Sequence, residues 1–291
     1  MNLKKFHGTA VAIVTPFDDD LKIDFEAFGN LIEYYLENGI NYFIVLGTTG
    51  ENATLSKEEK NAILDFAVKQ INGRAPIVAG FGGYNTNQII EDIKQRDFTG
   101  IDAILSVTPY YNKPNQRGLI EHYKAIADAA PVPIIMYNVP GRTSVNLNAA
   151  TTIELAQHPN IIAIKEASGN MGQIMQILKN KPEDFLVISG DDALTLPMIS
   201  IGCVGVISVV GMAKPRQMSD MVEYALKGDF TNAQKLHYEL LDLTNAIFED
   251  GNPAGIKAVL YLQNRIKYNL RLPLVKVNDK TFSKIKSLIQ Q

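Results

Sequence analysis

Eight short, almost uninterrupted apolar runs punctuate the chain, at residues 9–14, 42–46, 76–81, 103–107, 133–137, 161–164, 185–188 and 204–209. Each is too short for a globular helix and rich in Ile and Val. None alternates with polar residues as a half-solvated strand would, so the runs read as strands buried on both faces of a parallel sheet. Parallel neighbours need a crossover of a dozen residues or more, and helix-period segments fill the intervals. In 24–37, Phe25, Phe28, Leu31, Ile32 and Tyr35 fall on one stripe, and Ser56-Lys57-Glu58-Glu59 reads as a capping box with Ser56 as N-cap. Such alternation leaves a closed eightfold barrel or an open doubly wound sheet. The count of eight favours closure. An open sheet usually carries a Gly-rich phosphate turn after its first strand, where this chain has Thr15-Pro16-Phe17. The pattern therefore predicts an α/β fold, a (β/α)8 TIM barrel over residues 1–228. A C-terminal helical appendage follows over 229–291, with helices at 229–248, 253–267 and 278–290.

Composition narrows the function. With 291 residues, 46% of them hydrophobic, and a net charge of −3, the chain is an ordinary globular protein rather than a disordered one. Lys and Arg are interleaved with Asp and Glu, which speaks against a nucleic-acid partner, and the densest basic stretch, 276–286, reads as the solvated face of a terminal helix. No apolar run approaches the ~20 residues of a membrane helix. The lone Cys203 cannot form an intramolecular disulfide and no leader-like segment opens the chain, so a reducing, cytoplasmic setting is expected. His7, His122, His158 and His237 are scattered without metal-ligand spacing and read as surface or capping residues. Asp191-Asp192 lacks a third carboxylate motif and reads as the acidic start of a helix. Gly80 to Gly83 lacks the spacing of a dinucleotide fingerprint, and Gly-x-Ser-x-Gly is absent. No metal and no organic cofactor are expected.

In a barrel of this kind the chemistry sits at the C-terminal strand ends. Strand two ends in Gly47-Thr48-Thr49-Gly50-Glu51, strand four in Thr108-Pro109-Tyr110-Tyr111-Asn112, and strand five in Tyr137-Asn138-Val139-Pro140-Gly141-Arg142-Thr143. Strand six ends in Lys165-Glu166-Ala167-Ser168-Gly169 and strand seven in Ser189-Gly190-Asp191-Asp192. Lys165 is the sharpest signal. An ammonium leaving a buried strand is desolvated, which lowers its pKa, and a partly neutral amine attacks carbonyls to form a Schiff base. The rival reading pairs Lys165 with Glu166, but neighbours on a strand face opposite ways. Tyr137 ends the adjacent strand and reads either as a proton carrier beside Lys165 or as a buried structural phenol. Thr48, Thr49 and Tyr111 offer hydroxyls for a proton path to solvent. The Gly47–Gly50 frame offers backbone N–H groups for a small carboxylate. Arg142 is either a bidentate carboxylate fork or a surface arginine in a Pro-Gly turn.

Together these motifs resemble the dihydrodipicolinate synthase and N-acetylneuraminate lyase family of class I aldolases, over nearly the whole chain. Gly47-Thr48-Thr49-Gly50-Glu51, Tyr137-Asn138-Val139-Pro140 and Ile164-Lys165-Glu166-Ala167 match in order and strand position. Thr48-Thr49, Tyr110-Tyr111-Asn112 and Arg142 place the likeness on the synthase side. The resemblance implies that Lys165 forms an imine with pyruvate and that Tyr137, Thr48 and Tyr111 make the proton relay, Tyr111 reaching over from a neighbouring subunit. It implies that Thr49, Gly190 and the backbone of Ile207 hold the pyruvate carboxylate and its pocket. Arg142 would bind the carboxylate of the second substrate, L-aspartate 4-semialdehyde, on the diaminopimelate route to lysine. A homotetramer built as a dimer of dimers is the implied assembly. Members inhibited by lysine carry His and polar residues where this chain has Lys57 and Lys60, an Asn where it has Tyr84, and a Glu where it has Gln88. Two added cations and one lost carboxylate predict weak or absent feedback by lysine. Two other readings stand beside this one: a lyase for sialic acid or a 2-keto-3-deoxy sugar acid, and a non-catalytic barrel that senses a small molecule.

Overall fold

A computed structural model describes residues 2–290. Eight strands, all parallel, close into a barrel in chain order: β1 Gly8–Ala12, β2 Tyr42–Val45, β3 Ile77–Gly80, β4 Ala103–Val107, β5 Ile134–Asn138, β6 Ile161–Glu166, β7 Leu186–Ser189 and β8 Gly205–Ser208. The crossovers are α1 Phe25–Glu37, α2 Lys57–Ile71, α3 Thr86–Lys94, α4 Gln116–Ala129, a short α5 Pro140–Thr143, α6 Ala149–Leu155, α7 Met171–Asn180, α8 Thr195–Ser200 and α9 Pro215–Leu226. Three more helices follow β8 and α9: α10 Phe230–Glu249, α11 Ala254–Leu262 and α12 Asp279–Ile289.

The apolar runs form strands because both of their faces are buried. Alternate residues Ala10, Ala12, Tyr42, Ile44, Ile135, Tyr137 and Ile188 fill the interior with Phe6 beneath them. Val11, Phe43, Val45, Met136 and Val187 face the helices. Asn and Asp start the helices. Asp24, Asn115, Asn148, Asn170, Asp229 and Asn278 each accept from a backbone N–H three residues on. Ser56 and Glu59 form the reciprocal capping box that their spacing predicts.

Two departures from the sequence pattern have physical causes. The helix expected over 253–267 ends at Leu262, because Asn264 takes a left-handed backbone (φ 57°). Between β5 and β6 the register slips: Ile134 pairs with Ile161 but Ile135 with Ala163. This bulge puts both Ile162 and Ala163 in the inner cluster, after which Ile164 faces out and Lys165 faces in. Without the extra residue, strict alternation from Ile161 would turn Lys165 toward the helices.

Candidate active site

Lys165 pairs across the sheet with Tyr137 on one side and Ile188 on the other. Its Nζ lies 4.4 Å from the centroid of the Tyr137 ring, and only 6% of the residue is exposed. Burial lowers the amine to about 8, overcoming the Asp192 carboxylate, which pulls it up, and aided by Arg142, which pushes it down. The lysine is thus partly neutral near physiological pH, and among the described residues no hydrogen bond engages its Nζ. Glu166 points the other way. Its carboxylate accepts from Asn138 Nδ2 (3.2 and 3.1 Å) and the Ser168 N–H (2.8 Å), so it is held outside the barrel and not by the lysine. Gly190 leaves room for the lysine: a Cβ there would stand 2.8 Å from Lys165 Cε and 2.8 Å from Ala167 Cβ. Burial raises the Tyr137 phenol, while the Arg142 charge and a hydrogen bond with the Thr48 hydroxyl pull it down.

The strand-two loop makes the facing wall. Thr48–Gly50 form a 3₁₀ turn closed by Gly50 N–H donating to Gly47 O (3.0 Å), and Thr15 Oγ1 ties it to β1 through Gly50 O (2.7 Å). The turn is fastened to the C-terminal helices as well. Asn252 Nδ2 donates to Thr49 Oγ1 at 2.9 Å, and Glu51 forms a fully buried ion pair with Lys257 of α11. Lys257 also donates to Asn269 O at 3.0 Å, and its ammonium lies 4.3 Å from the centroid of the Phe17 ring. The whole site opens into a cavity of about 510 Å³ that holds Lys165, Tyr137, Thr48, Thr49, Arg142 and Gly190 on its walls.

Two residues implied for the site stand apart from this cavity. Ile207 packs one tier lower, inside the barrel, and Val209 two residues later reaches the cavity wall instead. Tyr111 is 89% exposed and has a left-handed backbone (φ 67°) in a loop pinned by Asn112 Nδ2 on Tyr84 O (3.1 Å), so its ring is carried away from its own chain's cavity. Arg142 sits on the short α5, where its Nη2 donates to Asn252 O at 3.4 Å.

Several buried or cavity-lining residues have roles that their sequence context did not show. Asp191-Asp192 starts a short helical turn as expected, Asp191 Oδ1 accepting from Ala193 and Leu194 N–H (3.1 and 3.3 Å), but Asp192 is also buried and its Oδ2 accepts from both Val209 and Val210 N–H (2.9 Å each), fixing the turn after β8. Burial raises its pKa. His122, expected at the surface, is buried against Tyr123 and bonded to Thr86 Oγ1 at 2.9 Å, and burial lowers it to about 4. Thr244, Asn245, Phe248 and Glu249 of α10 roof the cavity beside Asn252. Their only sequence cue is that they lie near one end of a long amphipathic helix. Among the described residues no group of three or more His, Cys, Asp or Glu is placed to hold a metal ion, and no helix is long and apolar enough to cross a membrane.

Comparison with known proteins agrees with this geometry across the chain. Residues 5–291 match the Dihydrodipicolinate synthetase family. The 4-hydroxy-tetrahydrodipicolinate synthase of Parabacteroides distasonis is 50% identical, covering 100% of this chain and 97% of its own length. The crystal structure of dihydrodipicolinate synthase from Aquifex aeolicus superposes with a TM-score of 0.95 at 41% identity, covering 98% of this chain and 97% of that one. The chloride-inhibited dihydrodipicolinate synthase of Acinetobacter baumannii, solved in complex with pyruvate, superposes with a TM-score of 0.95 at 38% identity and covers 98% of each chain. Full-length matches in sequence and in fold leave one conclusion: the chain belongs to the dihydrodipicolinate synthetase family.

Proposed function

We propose that this chain is a 4-hydroxy-tetrahydrodipicolinate synthase that condenses pyruvate with L-aspartate 4-semialdehyde through a Schiff base on Lys165. The observation that carries the reading is a buried lysine, held at about 8, in the wall of a cavity that it shares with Tyr137, Thr48 and Arg142. Its neutral Nζ attacks the C2 ketone of pyruvate, and loss of one water from the carbinolamine gives the imine. The iminium draws electrons from the methyl group, which sheds a proton and becomes the enamine nucleophile. The enamine carbon attacks the aldehyde carbon, and the aldehyde oxygen takes a proton. The amino group of the joined product then attacks C2, closes the ring and expels the Lys165 amine. Tyr137 and Thr48, which line the cavity beside the lysine, carry the protons of these steps. Thr49 and the Gly190 turn hold the keto-acid carboxylate, and Arg142 holds that of the semialdehyde.

Arg142 also favours the synthase over a sugar-acid lyase, since a polyol chain gains nothing from a guanidinium fork, whereas a short amino-acid aldehyde carries a carboxylate. On the same reading the protein works in the cytoplasm as a homotetramer, with no metal or organic cofactor. Tyr111, directed away from its own cavity, completes the relay of a neighbouring copy. Incubation with pyruvate and borohydride tests the central claim. It should fix one pyruvyl-derived group per chain on Lys165 and none on a Lys165→Ala protein, and an unlabelled Lys165 in the native protein refutes it. A coupled assay with aspartate semialdehyde against N-acetylneuraminate separates synthase from lyase.

A further inference from the structure

Asn252 lies just beyond α10 and 203 positions from Thr49 in the chain, yet the two side chains are hydrogen-bonded and buried. The direction of that bond is informative. An amide NH2 only donates, so Thr49 Oγ1 is the acceptor and its single proton points elsewhere. In this orientation the amide oxygen, Asn252 Oδ1, is buried without a partner, and the reverse orientation would leave both N–H groups of the amide without one. Among the described residues no protein acceptor takes the Thr49 proton, and Thr49 lines the same cavity as Lys165. Meanwhile the Asn252 backbone carbonyl accepts from Arg142 Nη2. One residue therefore touches two groups that can bind a carboxylate.

We infer that Asn252 is a positioning residue that locks the Thr49 hydroxyl as a hydrogen-bond donor aimed at the carboxylate of the keto acid captured by Lys165. The inference rests on the function proposed above. A carboxylate can only accept, so a hydroxyl free to rotate spends part of its time presenting its lone pairs, which repel the anion. With Oγ1 occupied by Asn252, the donor sense is set before the substrate arrives, and the resulting O–H···O⁻ bond is charge-assisted.

The test measures the pyruvate concentration that half-saturates borohydride labelling of Lys165, by intact mass. In Asn252→Ala the half-saturating concentration should rise about 10-fold, the worth of a hydrogen bond to a charged group, while the final extent of labelling at saturation is kept. Asn252→Asp preserves the shape but accepts the Thr49 proton, so its rise should be larger still. Added to Thr49→Val, which has no hydroxyl to orient, Asn252→Ala should change the value by less than about twofold. Melting temperatures identify any unfolded variant, and the near-isosteric Asn252→Asp carries the comparison if Asn252→Ala does not fold. Folded Asn252 variants with native half-saturation overturn the inference. So does an undiminished shift in the Thr49→Val background. A native protein that takes no label at any pyruvate concentration instead removes the proposed function.

Discussion

Gly190→Ala separates the catalytic role of space beside Lys165 from its role in stability. Gly190 does not occupy the left-handed region, so an alanine there meets a question of volume and not of backbone conformation. The added Cβ would fall 2.8 Å from Ala167 Cβ, 2.8 Å from Lys165 Cε and 3.0 Å from Lys165 Cγ. Reaching an ordinary contact of 3.4 Å requires Lys165 Cε to move by about 0.6 Å. The lysine end is flexible and can yield at little cost, whereas Ala167 sits on backbone tied to Asn138 O at 2.9 Å and resists. Overpacking of this kind costs about 1–3 kcal/mol, and each kcal/mol lowers Tm by roughly 2–4 °C in a chain of a few hundred residues. The folded state therefore survives. Catalysis should not, because a displacement on the order of 1 Å at a reacting atom is worth roughly 10²-fold in rate. Steady-state turnover with both substrates and the rate of borohydride labelling should both fall by about that factor, while the melting temperature drops by roughly 2–12 °C. Native turnover in Gly190→Ala would show that the lysine is not held where the geometry places it, and the reasoning would fail at its first step.

Four further outcomes follow from the structure. Tyr137→Phe keeps the ring beside Lys165 but removes the hydroxyl, so turnover should fall by about 10²-fold or more while the fold is retained; full activity would strike Tyr137 from the proton path. The rate of imine capture at low pyruvate should rise with pH and level off above about 8, because the neutral amine is the nucleophile and the group is protonated below that value. Asp192→Asn should move this inflection to lower pH, since the carboxylate is the charge that opposes burial, with Arg142 acting in the other direction and Tyr137 remaining neutral; an inflection that stays put excludes Asp192 as a determinant. L-lysine should inhibit weakly or not at all. Lys57 is paired with Asp92 (3.8 Å), Gln88 donates to the same carboxylate (3.1 Å), and Lys60 adds a second cation nearby, so the Asp92 carboxylate is already engaged and the two lysines repel an ammonium; sub-millimolar inhibition would contradict this.

The legible part of the molecule is its periodic part. A strand buried on both faces has to be apolar throughout, and a polar residue at its end has to be there for a reason, which is why the eight runs and Lys165 stand out from residue types alone. The bulge at Ile134/Ile135 left no mark, because inserting one Ile among Ile161, Ile162, Ala163 and Ile164 does not change the run's character. It nevertheless decides which way Lys165 faces. The helix start expected at Asp191-Asp192 is present, but the second role of Asp192 was not legible, because an acid after a strand satisfies helix-start rules whether or not it also meets the backbone after β8, and only the fold brings Val209 and Val210 to it. Tyr111 shows the opposite limit: its motif is plain, but the residue is 89% exposed and its ring is directed away from the cavity of its own chain.

The C-terminal helices explain why a barrel needs an appendage to run this chemistry. A lysine amine approaches neutrality only where water is excluded, and here burial outweighs the attraction of Asp192. The mouth of an eight-stranded barrel is open by construction, so exclusion has to come from outside the sheet. α10 supplies it with Thr244, Asn245 and Phe248 on the cavity wall. A helix laid over a mouth is useful only if it stays, and the buried Glu51–Lys257 pair fastens the strand-two loop to α11. Arg271 reinforces the joint from the segment after α11: its backbone N–H donates to Glu51 (3.1 Å) and its guanidinium bridges Glu59 (2.7 and 2.8 Å). Burying a charge pair is a weak way to gain stability, but removing either partner leaves an uncompensated ion and costs several kcal/mol. The pair therefore penalises separation of loop and helix far more than it rewards their union. That asymmetry suits a joint whose task is to keep Thr49, Asn252 and Arg142 in one geometry around the amine.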